Sequence, residues 1–397
     1  MLSNKHRYTI YRLFKFLLSV PLTLLAPFFP KKPYIVLTSA LNKVFEDNSQ
    51  ALFEALYTDA RFKDHVYFVL NDRKKRAQLN QIYPGKFISN TSWKNIKLIL
   101  SAQYWCASSL ELPAPGLFNR HWRTVYHLGH GMPFKKAGLA ERKVSWYKKL
   151  YYKLHFSNIS YTWCPIQSLR DEVAETYGVK TARVKVLPQP KTATIATPLP
   201  VAEPELNNKE FRHVLYAPTW RPYADVLLFP FPDQDLQTLD KKLQELNTYI
   251  WIRCHPRFSE IKGNDFSKYT HIKEFSVNSY SCINYYLSYF DALITDYSSL
   301  YYEFLNLERP IFFFDYDFEK YNQIVGVIDQ YSDLKVIPSI TSQKMFMAQL
   351  YKLKKAEINI EPFANLAKEW NYPIELKEIN NLLLDELFPS IAQRENA

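Results

Sequence analysis

Short runs of β-branched and aromatic residues alternate along the chain with longer stretches in which apolar residues recur every three or four positions. The short runs Tyr34–Thr38, Val66–Leu70, Gln103–Ala107 and Thr124–Leu128 predict strands, and Ser49–Asp59 and Asn95–Ser101 predict helices. A second series repeats the rhythm. Its strands are Val214–Ala217, Tyr249–Cys254, Ala292–Thr295 and Pro310–Phe314; its helices are Asp235–Glu245, Ser281–Tyr289 and Ser299–Asn306. Residues 343–388 have a helical pattern throughout. Strands alternating with helices imply parallel sheets covered on both faces. Between the two series, Leu187–Asn208 carries five prolines and no glycine, and is expected to end in a linker over 191–208. The expected organisation is a segment at 1–30, a Rossmann-like domain at 31–190, and a second one at 209–397 with C-terminal helices. Two doubly wound domains facing a cleft would bind ligands at the carboxyl ends of their strands.

The 1–30 segment changes this picture. The uncharged stretch Phe16–Phe29 is 14 residues long and contains Pro21 and Pro27, whereas a spanning helix needs about 20 apolar residues. With Lys5, Arg7, Arg12 and Lys15 nearby, it is expected to associate with a membrane surface without crossing it. The plain alternative is a helix packed on the protein's own core. The stretch 141–156, ERKVSWYKKLYYKLHF, mixes Lys and aromatic residues at helical spacing and suits the same surface, or else a solvated basic face.

Net charge is +11, which calls for an anionic partner: nucleic acid, anionic lipid or a phosphorylated substrate. Only 8 of 397 residues are glycine, and neither G-x-G-x-x-G nor G-x-x-x-x-G-K-[ST] occurs, so glycine-loop nucleotide binders are disfavoured. Four scattered cysteines lack metal-ligand spacing and fit a reducing compartment.

Four short constellations follow predicted strands. His127-Leu128-Gly129-His130-Gly131 spends two of the eight glycines on one turn and leads to Lys135 and Lys136, which are expected to meet phosphate at a helix start. Imidazole suits a general base near neutral pH. Tyr216–Arg221 puts the Thr219 hydroxyl and the Arg221 guanidinium at a strand tip, equipment for phosphate. Arg253-Cys254-His255-Pro256-Arg257 makes a dense cationic spot suited to a diphosphate. Thr295–Phe304 places Ser298 and Ser299 at a helix N-terminus, with Asp296 as a cap and Glu303 one turn inside. Taken singly, each also fits an ordinary structural turn or surface loop.

In this order the constellations resemble the CDP-glycerol glycerophosphotransferase family, the enzymes of teichoic acid priming and polymerisation and of related capsule building. The carrying residues are Leu128 to Lys135, Tyr216 to Arg221, Arg253 to Pro256 and Thr295 to Glu303, with Asp47-Asn48 after the first strand. The resemblance implies a GT-B-like pair of Rossmann-type halves. It implies that His130 deprotonates the acceptor hydroxyl, that His255, Arg221, Ser298 and Ser299 hold the CDP-glycerol diphosphate, and that Glu303 holds the ribose. It implies no obligatory cofactor and no metal. The chain departs from the family pattern at Leu187–Thr192 and at Val325-Gly326-Val327.

The expected reaction is transfer of glycerol phosphate from CDP-glycerol to a lipid-linked glycan, releasing CMP. The expected location is the cytoplasmic face of the cell membrane, as a peripheral or monotopic protein, with no nucleic-acid partner. A primase-like role is favoured over a polymerase. A CDP-ribitol enzyme of the same family, or a nucleotide-sugar glycosyltransferase on the same fold, is the alternative.

Overall fold

The computed structural model describes residues 20–129, 131–142, 144–254, 266–277 and 279–392. The chain forms two compact units. The first holds residues up to Met132, Ala137–Ala193 and the chain from Ile374; the second holds Pro133–Lys136 and Thr194–Pro373.

The first unit is a seven-stranded sheet in the order β3-β2-β1-β4-β5-β6-β7, with every pairing parallel. Its strands are β1 (Lys32–Thr38), β2 (Val66–Val69), β3 (Phe87–Ile88), β4 (Ala102–Ala107), β5 (Thr124–His127), β6 (Tyr161–Cys164) and β7 (Val184–Val186). Side chains alternate across the sheet, so β1 serves two cores. Ile35 and Leu37 pack with Phe53, Phe62 and Phe68 on one face. Val36 packs with Ile99, Trp105 and Val125 on the other. Burial of both faces is why β1 reads as a continuous apolar run.

The second unit is a five-stranded parallel sheet in the order β10-β9-β8-β11-β12. Its strands are β8 (Arg212–Tyr216), β9 (Thr248–Ile252), β10 (Ile272–Glu274), β11 (Ala292–Thr295) and β12 (Ile311–Phe313). The eight strands expected from pattern all form. The four not expected, β3, β6, β7 and β10, are two to four residues long. The expected helix at Ser281–Tyr289 is a 3₁₀ helix over Ile283–Tyr289.

Two expectations are corrected. The C-terminal helices do not all belong with the second sheet. Ile379, Leu383, Leu384, Leu387, Phe388 and Ile391 join the first unit's core, and Tyr126 Oη donates to the Leu387 carbonyl at 2.9 Å. Periodicity shows that this helix has an apolar face, not which unit covers it. Residues 191–208, expected as the linker, contain the passage from one unit to the other. Ala193, Ile195, Val201 and Leu206 are buried, and the division between units falls at Ala193/Thr194. In helix Trp146–Phe156, Tyr151, Tyr152 and Phe156 fill a small core with Ile159, and Lys148 pairs with Glu141. The aromatic stripe read as membrane-facing is thus largely internal, although Trp146 stays 77% exposed.

At the start of the described chain, Val20–Leu25 is helical and Ala26 is buried in the first unit. Leu24 and Phe28 are 68% and 80% exposed. Among the described residues, no helix is long and apolar enough to cross a membrane.

Candidate active site

The first unit contributes a glycine turn after β5. Gly129 has φ +64°, a left-handed conformation that favours glycine. Buried Asn48 fixes the turn. Its Nδ2 donates to the Gly129 carbonyl at 2.9 Å, and its Oδ1 accepts from the Lys191 N–H at 3.0 Å. Lys191 Nζ lies 3.3 Å from the Asp47 carboxylate. The Asp47-Asn48 pair therefore ties three segments together, and Lys191 in the divergent Leu187–Thr192 stretch is part of that tie. His127 is buried, accepts the Gly129 N–H at Nδ1 (3.2 Å), and lies 4.5 Å ring to ring from Tyr177. It is the supporting histidine of the motif. The two expected catalytic histidines, His130 and His255, lie outside the described residues.

The residues that follow this turn belong to the second unit. Phe134 packs against Tyr301, Tyr302 and Tyr331 at 5.4–5.5 Å. Lys135 bridges Val327 in antiparallel fashion, and the Lys136 N–H donates to the Gly326 carbonyl at 2.9 Å. No helix begins at these lysines. The next element is a 3₁₀ turn at Gly138–Ala140, so the expected helix-start phosphate site is replaced by a short strand-like bridge.

The other three motifs stand side by side. They follow β9, β8 and β11, which are neighbours in the sheet, so their strand ends fall within about 10 Å. At the centre, Arg221 is fully buried. Its Nη1 meets Asp296 Oδ2 at 2.5 Å and the Thr219 carbonyl at 2.5 Å. Its Nε and Nη2 grip both oxygens of Asp317 at 3.1 and 2.8 Å. This corrects the expected role. Two internal carboxylates hold the guanidinium, so Arg221 locks the strand tips together instead of facing phosphate.

Asp296 is corrected with it. Oδ1 accepts from the Thr219 and Tyr297 N–H groups at 2.8 and 2.6 Å, fastening the β8 and β11 turns to each other. Ser299 stands at the cap position without a side-chain cap hydrogen bond, and Ser298 Oγ accepts from the Leu300 N–H at 3.3 Å. Ser298 and Ser299 are half-buried, and Glu303 is buried within helix Leu300–Leu305. Thr219 is buried, and its Oγ1 has no hydrogen-bond partner among the described residues.

Arg253 differs from Arg221. Its Nη2 donates to the Ser281 carbonyl at 3.1 Å, and it is in no ion pair among the described residues. Burial pushes its guanidinium down to about 10, so it stays charged near neutrality. It is the described cation of these motifs without a carboxylate partner.

Below the tips, motif reading missed a polar network. Asp317 also accepts from Tyr223 Oη (2.6 Å) and Tyr297 Oη (3.1 Å). Asp315 accepts from Tyr331 Oη (2.9 Å) and Lys335 Nζ (2.5 Å). Burial pushes both carboxyls up, but these hydrogen bonds and cations outweigh it and hold both below the ordinary range. The signal in the sequence was Asp315-Tyr316-Asp317 directly after an all-apolar strand. Among the described residues, no three His, Cys, Asp or Glu side chains gather as a metal site.

With this geometry in place, comparison with known proteins is decisive for the family. The profile of CDP-Glycerol:Poly(glycerophosphate) glycerophosphotransferase matches residues 21–371. The chain belongs to this family. Two teichoic acid glycerol-phosphate primases, from Bacillus spizizenii and Bacillus subtilis, are 33% and 35% identical over 165 and 136 residues. Those matches span 40% and 32% of the primases' lengths, and 41% and 34% of this chain. A teichoic acid poly(glycerol phosphate) polymerase from Bacillus spizizenii is 26% identical over 351 residues, covering 83% of this chain and 86% of that protein. Among solved structures, the wall teichoic acid polymerase TagF superposes with a TM-score of 0.74 at 18% identity, covering 98% of this chain and 99% of that one. The likeness shows the fold: α/β with parallel sheets, GT-B-like. Within this glycerophosphotransferase fold, the second unit carries three of the four family motifs on adjacent strand ends.

Proposed function

We propose that the protein transfers glycerol phosphate from CDP-glycerol to a hydroxyl of a membrane lipid-linked glycan in teichoic acid or related surface-polymer synthesis, by a primase-like addition. The observation that carries this reading is the alignment of the Thr219, Arg253 and Ser298-Ser299 motifs on neighbouring carboxyl strand ends of the second unit. That edge is where parallel α/β sheets bind ligands.

The acceptor oxygen attacks the phosphorus that bears glycerol and forms the new P–O bond. The bond from that phosphorus to the CMP oxygen breaks, and CMP leaves with the electron pair. His130 takes the acceptor proton. Arg253, His255 and the hydroxyls of Ser298 and Ser299 offset the charge that grows on CMP. Arg221, Asp296 and Asp317 hold the turns after β8 and β11, the second of which presents Ser298 and Ser299. Such transfers depend chiefly on positioning and charge stabilisation. The reaction as written needs no metal or cofactor.

The names of relatives support a polymerase or a ribitol-phosphate enzyme as the second reading, since poly(glycerol phosphate) and poly(ribitol-phosphate) polymerases both match the chain. The deciding experiment supplies CDP-glycerol, CDP-ribitol and UDP-sugars in turn with a synthetic lipid-diphosphate disaccharide, and weighs the products. One added glycerol phosphate with CMP release is expected. Transfer from a UDP-sugar alone would sink the reading, and a ladder of additions would replace primase by polymerase.

Peripheral membrane association belongs to the same proposal. It is supported by the basic, apolar start of the chain and by exposed Leu24 and Phe28. Deleting residues 1–19 together with Leu24→Ser and Phe28→Ser spares buried Ala26. This variant is expected to stop sedimenting with anionic liposomes while its circular dichroism is unchanged. Full sedimentation would remove the anchor assignment.

A further inference from the structure

A buried polar group normally finds a hydrogen-bond partner, and each exception calls for an explanation. Three exceptions lie in the second unit, on or close to the carboxyl edge of its sheet. They are Thr219 Oγ1, Arg253 Nη1 and Asn284 Nδ2, each atom buried and without a hydrogen-bond partner among the described residues. Thr219 and Arg253 belong to the motifs described above. Asn284 belongs to none of them.

Asn284 lies in the crossover from β10 to β11, on the 3₁₀ helix Ile283–Tyr289, and is 2% exposed. Arg253 fixes where that helix begins. Its Nη2 donates to the Ser281 carbonyl at 3.1 Å, and its charge acts on Cys282 and Tyr286, which bracket Asn284 in the chain. Arg253 directly follows β9, so Asn284 stands near the strand ends, at most about 11 Å of chain beyond Ser281.

The crossover is otherwise apolar at this point. Tyr280 stacks on Phe275 at 4.2 Å, and Tyr286 meets these two rings at 4.8 and 5.9 Å. In such a setting a buried amide without a partner costs stability that an apolar side chain of similar size would not. Folding alone would favour a leucine at this position.

The chemistry of the amide narrows what its partner is. Arg253 is a cation, and Ser298 and Ser299 carry hydroxyls, groups that suit phosphate. Asn284 is neutral and offers a donor beside an acceptor. That pair matches the edge of a pyrimidine, where a ring nitrogen and an exocyclic group stand side by side; the oxygens of a phosphate only accept. A nucleotide carries both parts, with its base and its phosphate on opposite sides of the ribose.

We propose that Asn284 hydrogen-bonds to the pyrimidine base of the nucleotide donor, while Arg253 Nη1 takes the adjoining phosphate. The identity of the donor rests on the CDP-glycerol reading above; the unmet demand of the buried amide does not.

The test compares the full-length wild type with Asn284→Leu, which is close to asparagine in size but lacks the amide. Calorimetry reads the affinity for CDP-glycerol and for CMP, and ribose 5-phosphate, which has no base, is competed against CDP-glycerol. The variant is expected to bind CDP-glycerol and CMP about ten-fold more weakly, the effect of losing a hydrogen bond in a buried site. Its affinity for ribose 5-phosphate should be unchanged. In the transfer assay, KM for CDP-glycerol should rise by about the same factor with kcat nearly unchanged, because a base contact is made equally in the ground and transition states. The Tm of the unliganded variant should equal or exceed that of the wild type. Asn284→Ala should lose the same affinity, which separates the amide from the fit of leucine and carries the test if Asn284→Leu does not fold.

Unchanged affinity for CDP-glycerol and CMP in the variants overturns the proposal, and a lowered Tm alongside it makes Asn284 a structural amide. Equal weakening of ribose 5-phosphate also overturns it and moves the amide to the sugar or phosphate. The donor reading is judged on the wild type. If the wild type binds neither CDP-glycerol nor CMP, both readings fall; if it binds both and the variants do so equally well, this site alone falls.

Discussion

Arg221→Met is expected to destabilise the second unit by about 3–5 kcal/mol, the usual cost of removing one partner from a buried ion network. The guanidinium is fully buried and faces two carboxylates, Asp296 and Asp317, at 2.5 and 2.8 Å. Methionine fills much of the volume but leaves both carboxylates without their cation. Hydrogen exchange of the β8, β9 and β11 amides reads the loss in this unit separately from the first. The response to pH should change sign. In the wild type, Asp317 is held below the unfolded value of 3.8; burial raises it, but Arg221 and the Tyr223 hydroxyl pull it down further. Its stabilisation is therefore complete above that value and is lost as pH falls through the folded one. Without Arg221, burial is opposed only by the Tyr223 and Tyr297 hydroxyls, and the folded carboxyl is expected to rise above 3.8. Acidification through that raised value should then stabilise the variant relative to its neutral form. Adding Asp317→Asn should recover part of the loss. Wild-type stability in Arg221→Met combined with weakened CDP-glycerol binding would return Arg221 to a direct phosphate contact.

That pairing also marks where the sequence stops being informative. The strand-helix rhythm is legible because buried parallel strands are uninterrupted apolar runs, as in YIVLT of β1 and YIWI of β9. The motif positions are legible for the same reason, since each sits directly after such a run. What Arg221 does is not legible. A guanidinium at a strand tip looks the same whether it faces a phosphate or a carboxylate, and its two partners lie 75 and 96 residues further on. Asp296 presents the same difficulty. An acidic residue just before a helix has the pattern of a cap, yet its oxygens are taken by the neighbouring turn. The final helix shows a third form. Leu383, Leu384 and Leu387 announce an apolar face, and only tertiary packing against Phe62, Tyr104 and Tyr126 decides its unit. Local propensity thus fixes the elements, while long-range charge pairing and core membership depend on contacts that no window of sequence contains.

The separation of support from chemistry leads to the largest functional effect. The first motif contains two histidines with different prospects. His127 is committed to structure: it is buried, and its Nδ1 accepts the Gly129 N–H. A ring held in this way inside the β5 end is a poor base for an incoming hydroxyl. His130 stands between Gly129 and Gly131, and the proposed reaction assigns it the base role. His130→Ala is therefore expected to lower single-turnover transfer by about 10²–10⁴-fold, the usual contribution of a general base. CDP-glycerol binding, measured by calorimetry, should be nearly unchanged, because the base acts on the acceptor oxygen. His127→Ala should behave oppositely, losing stability first and activity only through the displaced turn. The wild-type rate should fall at acidic pH as an imidazole base is protonated, and this limb should be absent from the residual rate of His130→Ala. Near-normal transfer by His130→Ala would remove the base assignment. Loss of donor binding in a folded His130→Ala protein would instead make His130 a phosphate ligand, and the proton of the acceptor would need another destination.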